Sequence, residues 1–339
     1  MNDKIRQLFV NNYALYNPNA VSEFFKEETN NVKPEIIGSR YMSKRVYGFI
    51  RNRLHYKIER EYIFDNTRVS LQMFCINKSF CFTKLYNVLN FYIFVLNKLK
   101  HKPVLKIVLY LTNLKKLFPS NLEQVLNEDN INSGVTMLNE GERMIVIYRK
   151  EELFKVLLHE LIHAYEIDFH FYNIAYDKYF MDKYSIKVSQ PYKNKNNPLA
   201  LYESYTDTLA CYGHIITNVL FKSTEEEITS LDTEIDTLLE KESKHYMLQA
   251  AKIFKFSYLR EDTHSFSYYL VKACIYRNFA SFKKFIDNNG IVLNTIEKQT
   301  SFLEFIKQNI DNPEFWKELK RIRTRKIVLS GLKMTKIKW

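Results

Sequence analysis

The sequence predicts an α+β protein, mostly helical, with one small mixed sheet, and three observations carry that expectation. Only seven glycines and seven prolines interrupt 339 residues, so helices can run long. Apolar residues recur at helical spacing in many segments, most clearly over 150–170 and 199–220. One window, 104–149, instead holds short runs rich in Val, Ile, Leu and Tyr that read as strands. At 46% hydrophobic and 15% aromatic residues the chain can bury a substantial core.

The elements follow in order. The first hundred residues read as short helices at VSEFFKEE (Val21 to Glu28) and SKRVYGFIRNR (Ser43 to Arg53), then a longer one at TKLYNVLNFYIFVLNKLK (Thr83 to Lys100). VLKIVLYLT (Val104 to Thr112), rich in Val, Ile, Leu and Tyr with no breaking residue inside, reads as a strand. GVTMLNEGERMIVIYR (Gly134 to Arg149) reads as two strands joined at Asn139 to Glu142, a plausible hairpin. From Lys150 to about His170 nothing breaks a helical pattern of Phe154, Leu157, Leu158, Leu161, Ile162 and Tyr165. A polar segment, Lys187 to Pro198, precedes a second apolar-periodic helix from Leu199 to Leu220. Further helices are expected after STEEEITS, where Ser223 with Glu226 or Thr224 with Glu227 offers a capping box, and at 265–279, 302–310 and 313–326.

A net charge of +12 favours contact with something acidic, whether nucleic acid, an anionic lipid surface or an acidic protein. The C-terminal stretch KELKRIRTRKIVLSGLKMTKIKW is the most basic, with Lys317, Lys320, Arg321, Arg323, Arg325, Lys326, Lys333, Lys336 and Lys338. No run of about 18 apolar residues occurs, and MNDKIRQLFVNNYALYNP lacks the apolar core of an export signal, so no membrane span is expected. Four cysteines without CxxC spacing fit a reducing, intracellular and cytoplasmic setting.

Chemistry concentrates in VLLHELIHAYEID, Val156 to Asp168. Residues four apart share a helix face, so His159 and His163 can aim at one metal ion, with Glu160 close enough to contact water bound there. The bland alternative is a helix that carries a few satisfied polar residues. A catalytic zinc needs three protein ligands and one open position. His170 lies seven residues beyond His163, about 10 Å along the axis of an unbroken helix, and would reach the same ion only if that helix broke. LALYESYTDTLACYG supplies a better third ligand: Glu203 completes a His, His, Glu set, and Asp207 one turn later can hydrogen-bond the outer nitrogen of a ligating histidine.

HELIHAY followed by ESYTD resembles the HExxH and ExxxD patterns of the gluzincins, the thermolysin-like zinc metallopeptidases. With the Lys, Asn and Tyr bias, the chain also resembles metallopeptidases encoded by large DNA viruses of the iridovirus and entomopoxvirus kind, for which the setting would be host cytoplasm or virion. The resemblance covers about 132–220. It implies a zincin-like core with two metal-bearing helices over 103–280, flanked by a helical N-terminal region (1–102) and a helical basic C-terminal region (281–339). It further implies Zn2+ on His159, His163 and Glu203, Glu160 as general base, and Asp207 orienting His159. INSGVTML sits where such enzymes place a substrate-pairing edge strand, which makes Gly134, Val135 and Thr136 substrate-binding candidates. EDTHSFSYY offers His264, with Tyr268 and Tyr269 behind it, as the donor that stabilises the oxyanion.

The expected reaction is hydrolysis of a peptide or protein substrate by zinc-activated water, with Glu160 taking the proton. The competing expectation is a basic protein associated with nucleic acid or a particle through its tail, its metal site structural or vestigial. An intact Glu160 weighs against a purely structural metal, because such a site has no use for a base.

Overall fold

The computed structural model describes residues 3–78, 81–102, 104–117, 126–139, 141–168, 174–188, 199–223, 231–254, 260–261, 263–324 and 333–337. The fold is mixed α+β, as expected, and divides into two compact units.

The sheet unit comprises Gln7–Lys115 and Asn132–Ile167. Six strands stand in the order β1-β2-β3-β4-β6-β5: β1 Val21–Thr29, β2 Tyr56–Phe64, β3 Thr67–Cys75, β4 Val104–Tyr110, β5 Gly134–Asn139 and β6 Glu142–Ile147. β1, β2 and β3 form an antiparallel meander, β4 runs parallel to both β3 and β6, and β5 turns back antiparallel along β6 to form an edge. The expected strand at 104–112 and the expected hairpin are both present, with Gly141 at φ +77° in the turn.

The N-terminal half of this sheet departs from the sequence reading. Val21 to Glu28 is a strand, not a helix. Its side chains are almost all exposed, so no amphipathic face holds it. Cross-strand polar pairs do: Tyr56 donates to Glu28 at 2.6 Å, and Arg60 lies 3.3 Å from Glu23. β2 and β3 were not anticipated either. They meet at Asp65 and Asn66, both with positive φ (45° and 61°), the two-residue turn that matches strand twist.

Each face of the sheet carries helices. On one, Phe74, Val108, Tyr110, Val146 and Tyr148 form a buried cluster with Val46, Ile50 and Leu54, bringing in α2 (Lys44–Arg53), whose N-cap Ser43 accepts from the Val46 amide. On the other, Tyr62 donates to Asn90 of α3 (Phe82–Asn97) at 2.9 Å. α1 (Lys4–Tyr13) stacks Phe9 and Tyr13 edge-on against Phe91 of α3. α4 (Leu153–Ala164) packs against α3, β5 and β6.

The helical unit comprises Met1–Arg6, Lys116–Ile131 and Asp168–Trp339. Its helices are α5 Ile174–Tyr184, α6 Tyr202–Leu220, α7 Leu231–Phe254, a π-helix Phe266–Val271, α8 Lys272–Arg277, α9 Phe279–Asn289, α10 Ile296–Ile310 and α11 Pro313–Thr324, with a short parallel pair β7 (Lys187–Val188) and β8 (Arg260–Glu261). α6 is buried at every position from Glu203 to Leu220, which makes it the axis of this unit. Aromatic pairs such as Tyr205 with Phe302 and Tyr212 with Phe279 fill the space around it. The capping box expected before α7 involves 224–227, outside the described residues. No helix among the described residues is long and apolar enough to cross a membrane.

Candidate metal centre

α4 buries nearly its whole circumference, including His159, Glu160 and His163. Three titratable groups in a buried helix carry a heavy desolvation cost unless they have work or partners. The two imidazoles converge. His159 Nε2 and His163 Nε2 are 3.1 Å apart, with the rings crossed at 82°. Two nitrogens bound tetrahedrally to one zinc, each about 2.0–2.1 Å from it, would stand about 3.3 Å apart. The observed separation therefore fits two ligands of one ion with little movement; it also fits a hydrogen bond between two neutral rings.

Glu160 faces the edge strand. The Thr136 hydroxyl donates to that residue, lying 2.8 Å from Oε2 and 2.9 Å from its carbonyl oxygen. Gly134 leaves room for the carboxylate, since a Cβ there would stand 2.8 Å from Oε1 and 3.1 Å from Val156 Cγ1. Strand pleating divides the three β5 candidates. Gly134 and Thr136 meet Glu160, whereas Val135 packs with the cluster on the opposite face. Thr136, through its hydroxyl, and Gly134, through its lack of a side chain, thus position Glu160, a role the sequence reading did not give them.

α4 ends earlier than the periodicity implies. Glu166 adopts φ +51°, its amide bonds the His163 carbonyl at 2.9 Å, and the Ile167 amide bonds the Ile162 carbonyl at 3.1 Å. This is a Schellman cap with glutamate where glycine is usual. Three cations hold that glutamate: Lys100 at 2.7 Å, Lys102 at 2.9 Å and Arg143 at 2.8 Å. Partial burial pushes its carboxyl upward, but hydrogen bonds from Lys100 and Lys102 and their charge overcome this and bring it to about 2. Tyr165 adds a bond to Asn97 at the end of α3. An unbroken helix to residue 170 is therefore corrected, and with it the geometric reason for setting His170 aside. His170 itself lies outside the described residues.

In the helical unit, Glu203 opens α6 and is buried, and Asp207 follows one turn later. Asp207 Oδ2 is 2.5 Å from Lys272 Nζ, an ion pair with both side chains at 1% exposure or less. Lys272 also reaches the Met334 carbonyl at 3.3 Å and lies over the Tyr246 ring. The sequence reading missed Lys272, yet a lone lysine inside the apolar run YYLVKACIY is itself a signal, since a buried cation needs a buried anion. His264 is buried in a left-handed conformation, φ +58°, and its carbonyl accepts from the Tyr268 amide at the start of the π-helix. Tyr268 and Tyr269 are buried as well. π-helical turns concentrate at functional sites, which keeps His264 of interest.

The basic tail is described only in part. Lys333 to Ile337 lies against the helical unit: Met334 and Thr335 are buried, and the Lys336 amide donates to Glu242 at 2.8 Å. Arg325, Lys326 and Lys338 fall outside the described residues. No protein family, no curated protein and no solved structure gives a match to this chain.

Proposed function

We propose that the chain is a zinc-dependent metallopeptidase of the HExxH type. The observation that carries this reading is the convergence of the His159 and His163 nitrogens to 3.1 Å beside a carboxylate seated by Thr136 and Gly134. Further support comes from donor chemistry: His159 and His163 are buried in the sheet unit and Glu203 is buried in the helical unit, and all three are side chains of the kind that hold a metal ion. Two imidazoles and a carboxylate suit zinc, with one position left for water.

Bound there, zinc would lower the pKa of its water toward neutrality and polarise a peptide carbonyl. Glu160 accepts the proton of the attacking water and passes it to the departing amine. β5 offers its outer edge to an extended substrate, because its inner edge is taken by β6. In this reading His264 donates to the developing oxyanion, and Asp207, its carboxylate fixed by Lys272, is the outer partner of His159.

The test is Glu160→Gln, which keeps the shape and removes the base. We expect zinc content equal to the wild type and peptide hydrolysis reduced by a factor of about 100 to 10,000. Unchanged turnover would remove Glu160 from the chemistry, and absence of zinc from the wild-type protein would remove the metallopeptidase.

A further inference from the structure

α2 carries a surface that the proposed peptidase does not use. From Ile36 to Ile58 the sequence contains no Asp or Glu, while Arg40, Lys44, Arg45, Arg51, Arg53 and Lys57 all fall in that stretch. The fold sorts these cations. Val46 and Ile50 turn inward to the sheet, and Lys44, Tyr47, Arg51, Asn52 and Arg53 are exposed. Arg45 is engaged with the Lys115 carbonyl at 3.0 Å, and Lys57 with Glu59. Among the described residues Lys44, Arg51 and Arg53 enter no ion pair.

Lys44, Tyr47, Gly48 and Arg51 are spaced i, i+3, i+4 and i+7, so they form one stripe about 10 Å long. Together with Met42 and Asn52 they line a groove of about 450 Å3. Gly48 is one of the lining residues. A mid-helix glycine costs about 1 kcal/mol relative to alanine, and a Cβ at Gly48 would meet nothing within 4 Å. Packing therefore does not require this glycine, whereas close approach of a ligand to the helix backbone would. Tyr47, 44% exposed between Lys44 and Arg51, leaves a large part of its aromatic side chain open to solvent.

We propose that this groove binds single-stranded nucleic acid, with Lys44 and Arg51 on phosphates and Tyr47 stacking on a base. A cationic track with an exposed aromatic is the pattern that non-specific single-strand binding uses. An anionic lipid surface fits less well, because the stripe offers no aliphatic side chain to insert. In the described part of the tail, the Lys336 main-chain amide donates to Glu242 of the helical unit.

The experiment is fluorescence anisotropy of a labelled single-stranded oligonucleotide against the full-length protein over a salt series. Lys44→Glu with Arg51→Glu should weaken binding at least about tenfold and flatten the log–log salt slope by about 1.4, the share of two phosphate contacts. Tyr47→Ala should cost about tenfold with the slope unchanged. All three positions are exposed, and an unaltered thermal transition certifies the fold. Gly48→Ala serves as the second variant: it should raise the melting temperature and still weaken binding. Wild-type affinity in the charge-reversed protein would overturn the proposal. So would loss of binding only on deleting 325–339, or capture of phosphatidylserine vesicles without capture of the oligonucleotide.

Discussion

Glu160 and Glu166 lie six residues apart in the sheet unit and are placed by opposite means. Glu160 sits mid-helix against a threonine hydroxyl and the bare backbone of Gly134. Glu166 sits past the helix end in a left-handed conformation, clasped by Lys100, Lys102 and Arg143. A carboxylate positioned by a neutral donor and a glycine keeps the freedom to accept a proton; one held by three cations is an anchor. The difference shows how one short segment carries both the proposed base and, six residues on, a carboxylate clasped by cations.

The comparison is broken most severely at Gly134. Gly134→Ala would drive a methyl to 2.8 Å from Glu160 Oε1 and 3.1 Å from Val156, so the carboxylate must swing aside. Peptide hydrolysis should fall about 100-fold, the scale of a 1 Å misplacement, with zinc content unchanged. Hydrolysis and zinc content measured on the same preparation check this.

A third carboxylate sharpens the contrast. Asp177 in the helical unit is buried, and burial raises its carboxyl to about 7, opposed by a bond from the Leu199 amide. Its folded pKa exceeds its unfolded one, so it favours folding at low pH, and that contribution is lost as pH rises from about 4 through about 7. Asp177→Asn keeps an acceptor for Leu199 and cannot ionise. It should stabilise the protein by about 2–4 kcal/mol at pH 8 and have little effect at pH 4 in chemical denaturation.

Glu166 has the opposite sign and a smaller effect. Its folded pKa, about 2, lies below the unfolded value of about 4.3, so its contribution is present above pH 4.3 and is lost as pH falls toward 2. The group is partly exposed, which screens the network. Glu166→Gln should cost about 1 kcal/mol at pH 7, with the difference from wild type vanishing near pH 2.

How much of this the sequence conveys depends on distance along the chain. The HExxH pair, the β5–β6 hairpin and α6 are written in local spacing and were legible. The end of α4 was not: its capping position holds glutamate instead of glycine, and the cations that stabilise it come from Lys100, Lys102 and Arg143, far from it in sequence. β1 was misread because its exposed, Glu-rich segment has helical composition and acquires strand geometry only by pairing with β2. The β2–β3 hairpin was legible in principle, since Asp65 and Asn66 stand between two β-branched and aromatic runs. The Asp207–Lys272 pair joins residues 65 apart; only the oddity of a lysine in an apolar run pointed to it.

The central claim is that His159 and His163 hold one zinc with Glu203 as third ligand. Metal content by mass spectrometry, on protein purified without chelator, tests it most directly. The account predicts about one zinc per wild-type chain, lost in His159→Ala and in His163→Ala, sharply reduced in Glu203→Ala, and retained in His170→Ala. Wild-type protein free of zinc would contradict the account outright, and zinc retained by Glu203→Ala but lost from His170→Ala would assign the third position to His170.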